Sequence, residues 1–408
     1  MMHALVRWGL VALFGLGGIV AGAAQEPTAE TTPPPVMTLR IWFPDTLGAS
    51  DDGTVASLLS GWIADFQAAN PDVQVDFRLK RAEESASTAS VMQQLETAQS
   101  VAPGALPHLT LLRRNDLAEA VEQGLIVSLA GAQGEALLEG FADPVRALGS
   151  VSAQLYGVPF LLDVQHLAAQ PGVEWPASGT LTDVHADARA FAFPAHPAGG
   201  SPDLVAAQLA ESGGLTEDGL LQPSPDALIA LYGFYRDAQA DGLLPGALDA
   251  RAPADFLSLL ASGELEAGAV SSTDYLRLTG QGVALQALPL PTSNGGPASV
   301  LDGWLWVLPA GSAEERALAL RFVDWMNAPD RLADMARAVH EIPAREDALA
   351  VWMEGEYGPL VAQLLGGALV PADWSRRQPE LARALQDGLT QVLTGAATPE
   401  QAAATVTP

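Results

Sequence analysis

The polar side chains of this chain form no spaced catalytic signature. It has no G-x-S-x-G elbow, no H-E-x-x-H, no Walker loop and no G-x-G-x-x-G at a strand–helix junction. His108, His166, His185, His196 and His340 are scattered, and none has a second ligand three or four residues away; only His185 and His196 could meet through the fold. No metal and no cofactor is therefore expected. The adjacent acids Asp51-Asp52 and Glu83-Glu84 point apart from each other and read as solvated. What remains is a set of rings and polar groups at or near the ends of expected strands: Trp42, Asp45, Arg113, Asn115, Asp116, Trp304 and Trp374. Such groups suit a ligand with an apolar face and a polar rim, as a sugar ring has. The rings offer a flat platform, and carboxylate, amide and guanidinium groups hydrogen-bond the rim. The two acids of a polysaccharide hydrolase stay open as an alternative, because the separation of two carboxylates is a tertiary property.

The elements that must position these groups read as alternating strands and helices. Val36–Phe43 alternates apolar and polar residues and is the first expected strand. Val55–Ala69 has apolar residues at helical spacing (Val55, Leu58, Leu59, Trp62, Ile63, Phe66) and stops at Asn70-Pro71, because the residue before proline is pushed out of the helical region. Val73–Leu79 is a strand, 83–99 a helix, Leu109–Leu112 a short buried strand and Asp116–Gln123 a helix. Further strands are expected at Tyr156–Phe160, Phe191–Phe193, Ala267–Val270 and Trp304–Leu308, with 194–203 and 271–275 as loops. Further helices are expected at 226–241, 254–262, 313–327, 329–339 and 380–393, followed by a frayed tail over 396–408. This alternation predicts α/β architecture with mostly parallel sheets flanked by helices. Ligands of such sheets sit beyond the carboxyl ends of the strands.

Composition narrows the function. The chain has 408 residues, enough for two domains with full cores, and its 49% hydrophobic and 17% charged residues mark it as globular. Twenty basic residues against 48 acidic ones give a net charge of −28, which excludes nucleic acid as a partner. His3 and Arg7, the apolar run Leu10–Val20 and the small residues Ala21-Gly22-Ala23 read as an export signal over 1–24, with the mature chain starting near Ala24 or Gln25. Residues 25–36, with Pro33-Pro34-Pro35, read as a stiff linker. The chain has no cysteine, so it has neither disulfides nor a lipoprotein anchor.

Four stretches carry a resemblance. "LRIWFP" (39–44), "IADFQAANPDVQVDF" (63–77), "LYGVPFLLD" (155–163) and "LDGWLWVLP" (301–309), in that order, are similar to landmarks of the sugar-binding extracellular solute-binding proteins of ABC importers, the maltose-binding-protein-like family. The resemblance implies a two-lobed periplasmic-binding-protein fold of type II with hinge strands between the lobes. It implies one lobe from 37–160 with 268–308, and another from 161–267 with 309–395. It places Asp163 just after the crossing strand as a sugar contact, Trp304 as the ring platform, and Asp274 and Tyr275 where the family has a cleft aromatic. "VHEIPARED" (339–347) resembles a segment in which Pro343 and Arg345 match, while His340 and Glu341 depart and are placed to tune the ligand. A Tyr-Asn-Lys run usual after the crossing strand is replaced by "HLAAQP" (166–171). The implied function is non-enzymatic capture of a small solute, most simply a carbohydrate, by a monomer outside the cytoplasm, followed by delivery to an ABC permease or a sensor.

Overall fold

Strand and helix alternation is realised from Met37 onward. The computed structural model describes residues 37–48, 53–81, 90–186, 191, 201–216, 220–244, 253–309, 311–352, 355 and 357–406. The export signal, the linker, both adjacent acid pairs, His196 and all of 192–200 lie outside these residues. The strands are β1 (Met37–Pro44), β2 (Val73–Lys80), β3 (Leu109–Arg113), β4 (Ser150–Val151), β5 (Gln154–Leu155), β6 (Gly157–Ala169), β7 (Ala267–Ser271), β8 (Gln286–Leu288), β9 (Ser299–Val307), β10 (Ile342–Pro343) and β11 (Ala368–Leu369).

Local chemistry explains the first elements. The helix Thr54–Ala69 turns Val55, Leu59 and Phe66 into the core. It stops at Asn70, whose side-chain amide donates back to the Phe66 carbonyl at 2.8 Å before Pro71 forbids another turn. Its length returns the chain so that β1 and β2 pair in parallel, Met37 opposite Val73 and Pro44 opposite Lys80. The helix Val91–Val101 starts on Ser90, whose hydroxyl accepts from the Gln93 amide.

The first sheet runs β10-β6-β9-β3-β1-β2. It is mixed, and the expectation of a mostly parallel sheet is corrected. β9 lies antiparallel to both neighbours, β3 (Arg113 opposite Trp304) and β6 (Asp163 opposite Asp302). A strand–helix alternation fixes the direction only of strands that follow one another; β9 arrives from the other half of the molecule and runs the opposite way.

β6 and β9 each serve two sheets. The first part of β6 pairs with β9; its last residues pair antiparallel with β7 and β8. The start of β9 pairs in parallel with β11. Two cores lie on either side of this crossing. The first is organised around Trp306, whose ring meets Phe160 at 4.9 Å, Phe43 at 6.0 Å and Phe322 at 6.3 Å. The second contains Phe191, Tyr232, Tyr235, Trp374, Leu385 and Leu389.

Three further expectations are corrected. Helices Ala313–Met326, Pro329–Val339, Glu346–Trp352 and Tyr357–Gly366 pack into the first core, whereas the resemblance implies that residues 309–395 belong to the second lobe. An apolar stripe says that a helix is covered, not which sheet covers it. The tail is ordered: Pro399–Val406 is a helix that buries Ala402, Ala403 and Val406. Residues 271–275 are not a loop but the start of the helix Ser272–Gly280, capped by the Ser271 hydroxyl on the Asp274 amide.

Candidate functional site

Where β6 and β9 pass from one sheet to the other, charged side chains gather. Asp163 and Asp302 are direct cross-strand partners. Like charges in that relation repel, so each needs its own compensation. Asp163 receives it from the start of the helix Ser272–Gly280: its Oδ1 accepts from the Ser272 hydroxyl at 2.7 Å and from the Thr273 amide at 3.1 Å. Ser272 in turn accepts from the Val164 amide at 3.0 Å, fixing the helix to the strand. Asp302 receives it from Arg113, at 3.8 Å.

Arg113 stands at the end of β3 and serves a second acid. Its other terminal nitrogen lies 3.8 Å from Glu341, which is 3% exposed. Glu341 Oε1 also accepts from the Trp304 indole nitrogen at 3.1 Å, while Oε2 is buried with no hydrogen-bond partner. Burial pushes the Glu341 carboxyl up to about 8; Arg113 works against that rise, and Asp163 and Asp302 add to it. Asp302 is also raised, mainly by burial and against the pull of Arg113. His166, one turn of strand beyond Asp163, is held neutral by burial, with its pKa lowered to about 4. Its Nδ1 donates to the Leu167 carbonyl at 2.8 Å, which leaves Nε2 to accept from the Tyr357 hydroxyl at 3.0 Å.

A cavity of about 750 Å³ lies near this cluster, although none of Arg113, Asp163, Asp302 and Glu341 lines it. One wall comes from Pro144, Ser150 and Ala153, the other from Leu215, Leu369 and Trp374. The first wall adjoins Val145 and Leu148 of the first core; in the second, Leu369 and Trp374 belong to the second core and Val370 to the first. Arg114, next in chain to Arg113 and itself buried, donates to the Ser150 carbonyl at 3.2 Å, so it ties the cavity wall to the charged cluster. The β4–β5 hairpin in that wall turns through Ser152 and Ala153 at φ 51° and 60°, left-handed positions that glycine or asparagine usually fills. An ion pair between Arg376 and Glu122 joins the helix Pro371–Arg377 to the helix Arg114–Glu122.

Of the residues singled out from the sequence, the structure brings Arg113, Asp163, Trp304 and Glu341 together, with Asp274 beside Asp163 and paired to Arg277 at 2.6 Å. Trp304 is not an open platform. It is 5% exposed, and the Arg113 guanidinium lies 4.4 Å over its ring. Trp42 is likewise a core residue, with the only lysine, Lys80, 4.2 Å over its ring. Tyr275 is buried against His166 and Tyr357, and its hydroxyl donates to the Leu285 carbonyl. These three aromatics follow one rule: a ring on or beside a strand is worth more buried than displayed. Arg345 lies apart, held bidentate by Asp347 at 2.7 and 2.9 Å. Trp374 is fully buried in the second core and reaches the cavity as part of its wall. Asp45 sits at the end of β1, and Asn115 and Asp116 at the first turn after β3. Asp302, Ser272 and Arg114 were missed. Asp302 carried a signal: it is the only charge in the apolar strand "SVLDGWLWV".

A family profile described as bacterial extracellular solute-binding protein matches residues 61–357. No curated protein matches the sequence. Among solved structures, a cyclo/maltodextrin-binding protein complexed with maltotetraose shares 18% identity, with 90% of this chain and 95% of that one covered, at a TM-score of 0.69. A cyclic alpha-maltosyl-1,6-maltose binding protein from Arthrobacter globiformis shares 15%, with 91% and 97% covered, at 0.71. A maltose-binding periplasmic protein from Listeria monocytogenes in complex with maltose shares 14%, with 91% and 97% covered, at 0.68. The fold is thus the two-lobed α/β fold of periplasmic binding proteins, built here on mixed sheets.

Proposed function

The chain belongs to the bacterial extracellular solute-binding proteins, and on that premise we propose that it captures a carbohydrate between its two lobes and hands it to an ABC permease. The observation that carries the reading is the cavity of about 750 Å³ walled by segments of both cores, joined through Arg114 and Ser150 to the Arg113–Asp302–Asp163 cluster. Its size is that of small-molecule sites. Proteins of the same fold hold maltotetraose and maltose. A solute touching both walls favours the closed arrangement by its contacts to each side, and a permease then reads that closed form.

Asp163 and Asp302 accept hydrogen bonds from hydroxyl groups, and Arg113 donates to ring or hydroxyl oxygens. Asp45, Asn115 and Asp116 add polar contacts from the carboxyl ends of the first sheet, where ligands of α/β sheets collect. Trp374 supplies apolar wall. The protein acts as a monomer and is exported by its leader, so secreted material begins near Ala24 or Gln25; mass spectrometry finding an intact Met1 would instead make the leader an anchor. A thermal-shift screen with maltose, maltotetraose, other oligosaccharides and polyols tests the ligand class. A binder at one hundred times its Kd stabilises the fold by about 2.7 kcal/mol, and the melting point climbs with the logarithm of ligand concentration. If polyols or amino acids shift it and no oligosaccharide does, the carbohydrate reading fails.

A further inference from the structure

Charge counting at the strand crossing leaves a remainder. Asp302 and Glu341 share Arg113, Arg114 adds its field at Asp302, and the Asp163 carboxylate acts on both acids. Three carboxylates against two guanidinium groups leave one negative charge, in a place where burial makes an uncompensated charge expensive. Glu341 is the acid least able to keep it. It is the most buried of the three, and its Oε2 meets no donor. Its one close cation, Arg113, lies 3.8 Å away and is shared with Asp302. Trp304 from β9 gives it a single neutral hydrogen bond.

We propose that Glu341 is a proton-carrying switch at the strand crossing: it holds a proton when Arg113 is drawn toward a bound solute and can release it when Arg113 returns, so solute capture is coupled to proton uptake. The proton restores neutrality to the cluster, and Arg113 is the moving part because it is the partly exposed member that touches both acids. The coupling rests on the binding function proposed above; the buried proton does not. The position of Glu341 in the free protein, raised to about 8, sets where the effect begins. Removing Arg113 from Glu341 raises it further. Affinity is therefore flat well below pH 8 and falls above it, by at most tenfold per pH unit for one proton.

Two measurements test this on the full chain. In the free protein, the indole N–H resonance of Trp304, identified by its loss in Trp304→Phe, reports the proton on its acceptor. It should titrate with a midpoint near pH 8 in the wild type and stay flat in Glu341→Gln, which keeps an acceptor but no charge. With maltotetraose as probe, calorimetry at pH 8.5 in two buffers of different ionisation heat should show proton uptake in the wild type and none in Glu341→Gln. A flat Trp304 resonance from pH 6 to 9.5, or the same titration in Glu341→Gln, overturns the proposal. A titrating resonance with pH-independent binding and no proton uptake overturns the coupling. Failure of maltotetraose and every other oligosaccharide to bind overturns the coupling together with the carbohydrate reading, while a titrating resonance would still establish the proton on Glu341.

Discussion

The strand crossing and the cavity wall lie next to each other and are built on opposite terms. The crossing holds three acids and two arginines on or beside strands that serve both sheets, some polar atoms held by neighbours and others, Glu341 Oε2 and Asp302 Oδ1 among them, buried without a hydrogen-bond partner. The wall is assembled from small and apolar side chains, Pro144, Ala153, Leu215 and Leu369 among them, on short helices, a tight hairpin and a two-residue strand. One region stores electrostatic tension, and the other supplies shape. Changes at the crossing should therefore register as stability and pH dependence, and changes in the wall as fit.

The largest break comes at Trp304. As a buried ring that anchors Glu341 and lies under Arg113, its change to alanine should cost about 3–5 kcal/mol of unfolding free energy in the ligand-free protein. Urea denaturation checks this, and a loss below 1 kcal/mol would return Trp304 to the role of an open platform. Arg113→Ala comes next, at about 1–3 kcal/mol, because it leaves buried acceptors without their cation; the same change in a Glu341→Gln background should cost less, and equal costs would mean that Arg113 and Glu341 do not interact.

The pH profile follows. Glu341 is raised from the ordinary carboxyl value of 4.5 to about 8 in the folded chain, so the fold binds a proton that the unfolded chain has lost over that window. Its contribution is full below about pH 4.5 and is lost as pH rises through 8, at up to about 1.4 kcal/mol per pH unit. Glu341→Gln should flatten that part of the stability profile, and an unchanged slope would assign it to other groups. Smallest is Ala153→Gly in the wall, which relieves a left-handed alanine for about 0.5–1 kcal/mol of added stability. A melting point that falls would show that the hairpin gains nothing from glycine there.

Much of the frame was legible because it is local. β1, the helix Thr54–Ala69, β2 and β3 each carry their period and their stop signal within a few residues, whereas Asp163 was named only through the resemblance of its stretch to the family's crossing strand. What escaped depends on distance along the chain. Nothing near residues 313–366 says that those helices cover the first sheet. The helix Pro399–Val406 buries alanines, whose short side chains give almost no periodic signal. The helix start at Ser271 was legible and overlooked, since a serine three residues before an aspartate is an ordinary cap. At the crossing, Arg113 and Asp302 lie far apart in sequence and meet only through the antiparallel placement of β9. The aromatics were misplaced for another reason: sequence shows which rings stand near strand ends, but not which polar chain will lie over them, as Lys80 does on Trp42 and Arg113 on Trp304.

The place of β9 also governs the order in which the molecule can be assembled. Because it lies between β3 and β6, a chain ending before Ser299 has a split first sheet with two bare edges, and the helices of 313–366 that cover it are still to come. Nearly the whole chain must be present before the first core closes, so folding has to wait on contacts between residues hundreds of positions apart, a slow class of event. For a protein that crosses a membrane before it works, such a delay is useful: the nascent chain stays threadable until its last quarter has been made. A chain truncated at residue 298 should accordingly be cleaved by protease throughout residues 37–160, whereas the full chain protects them.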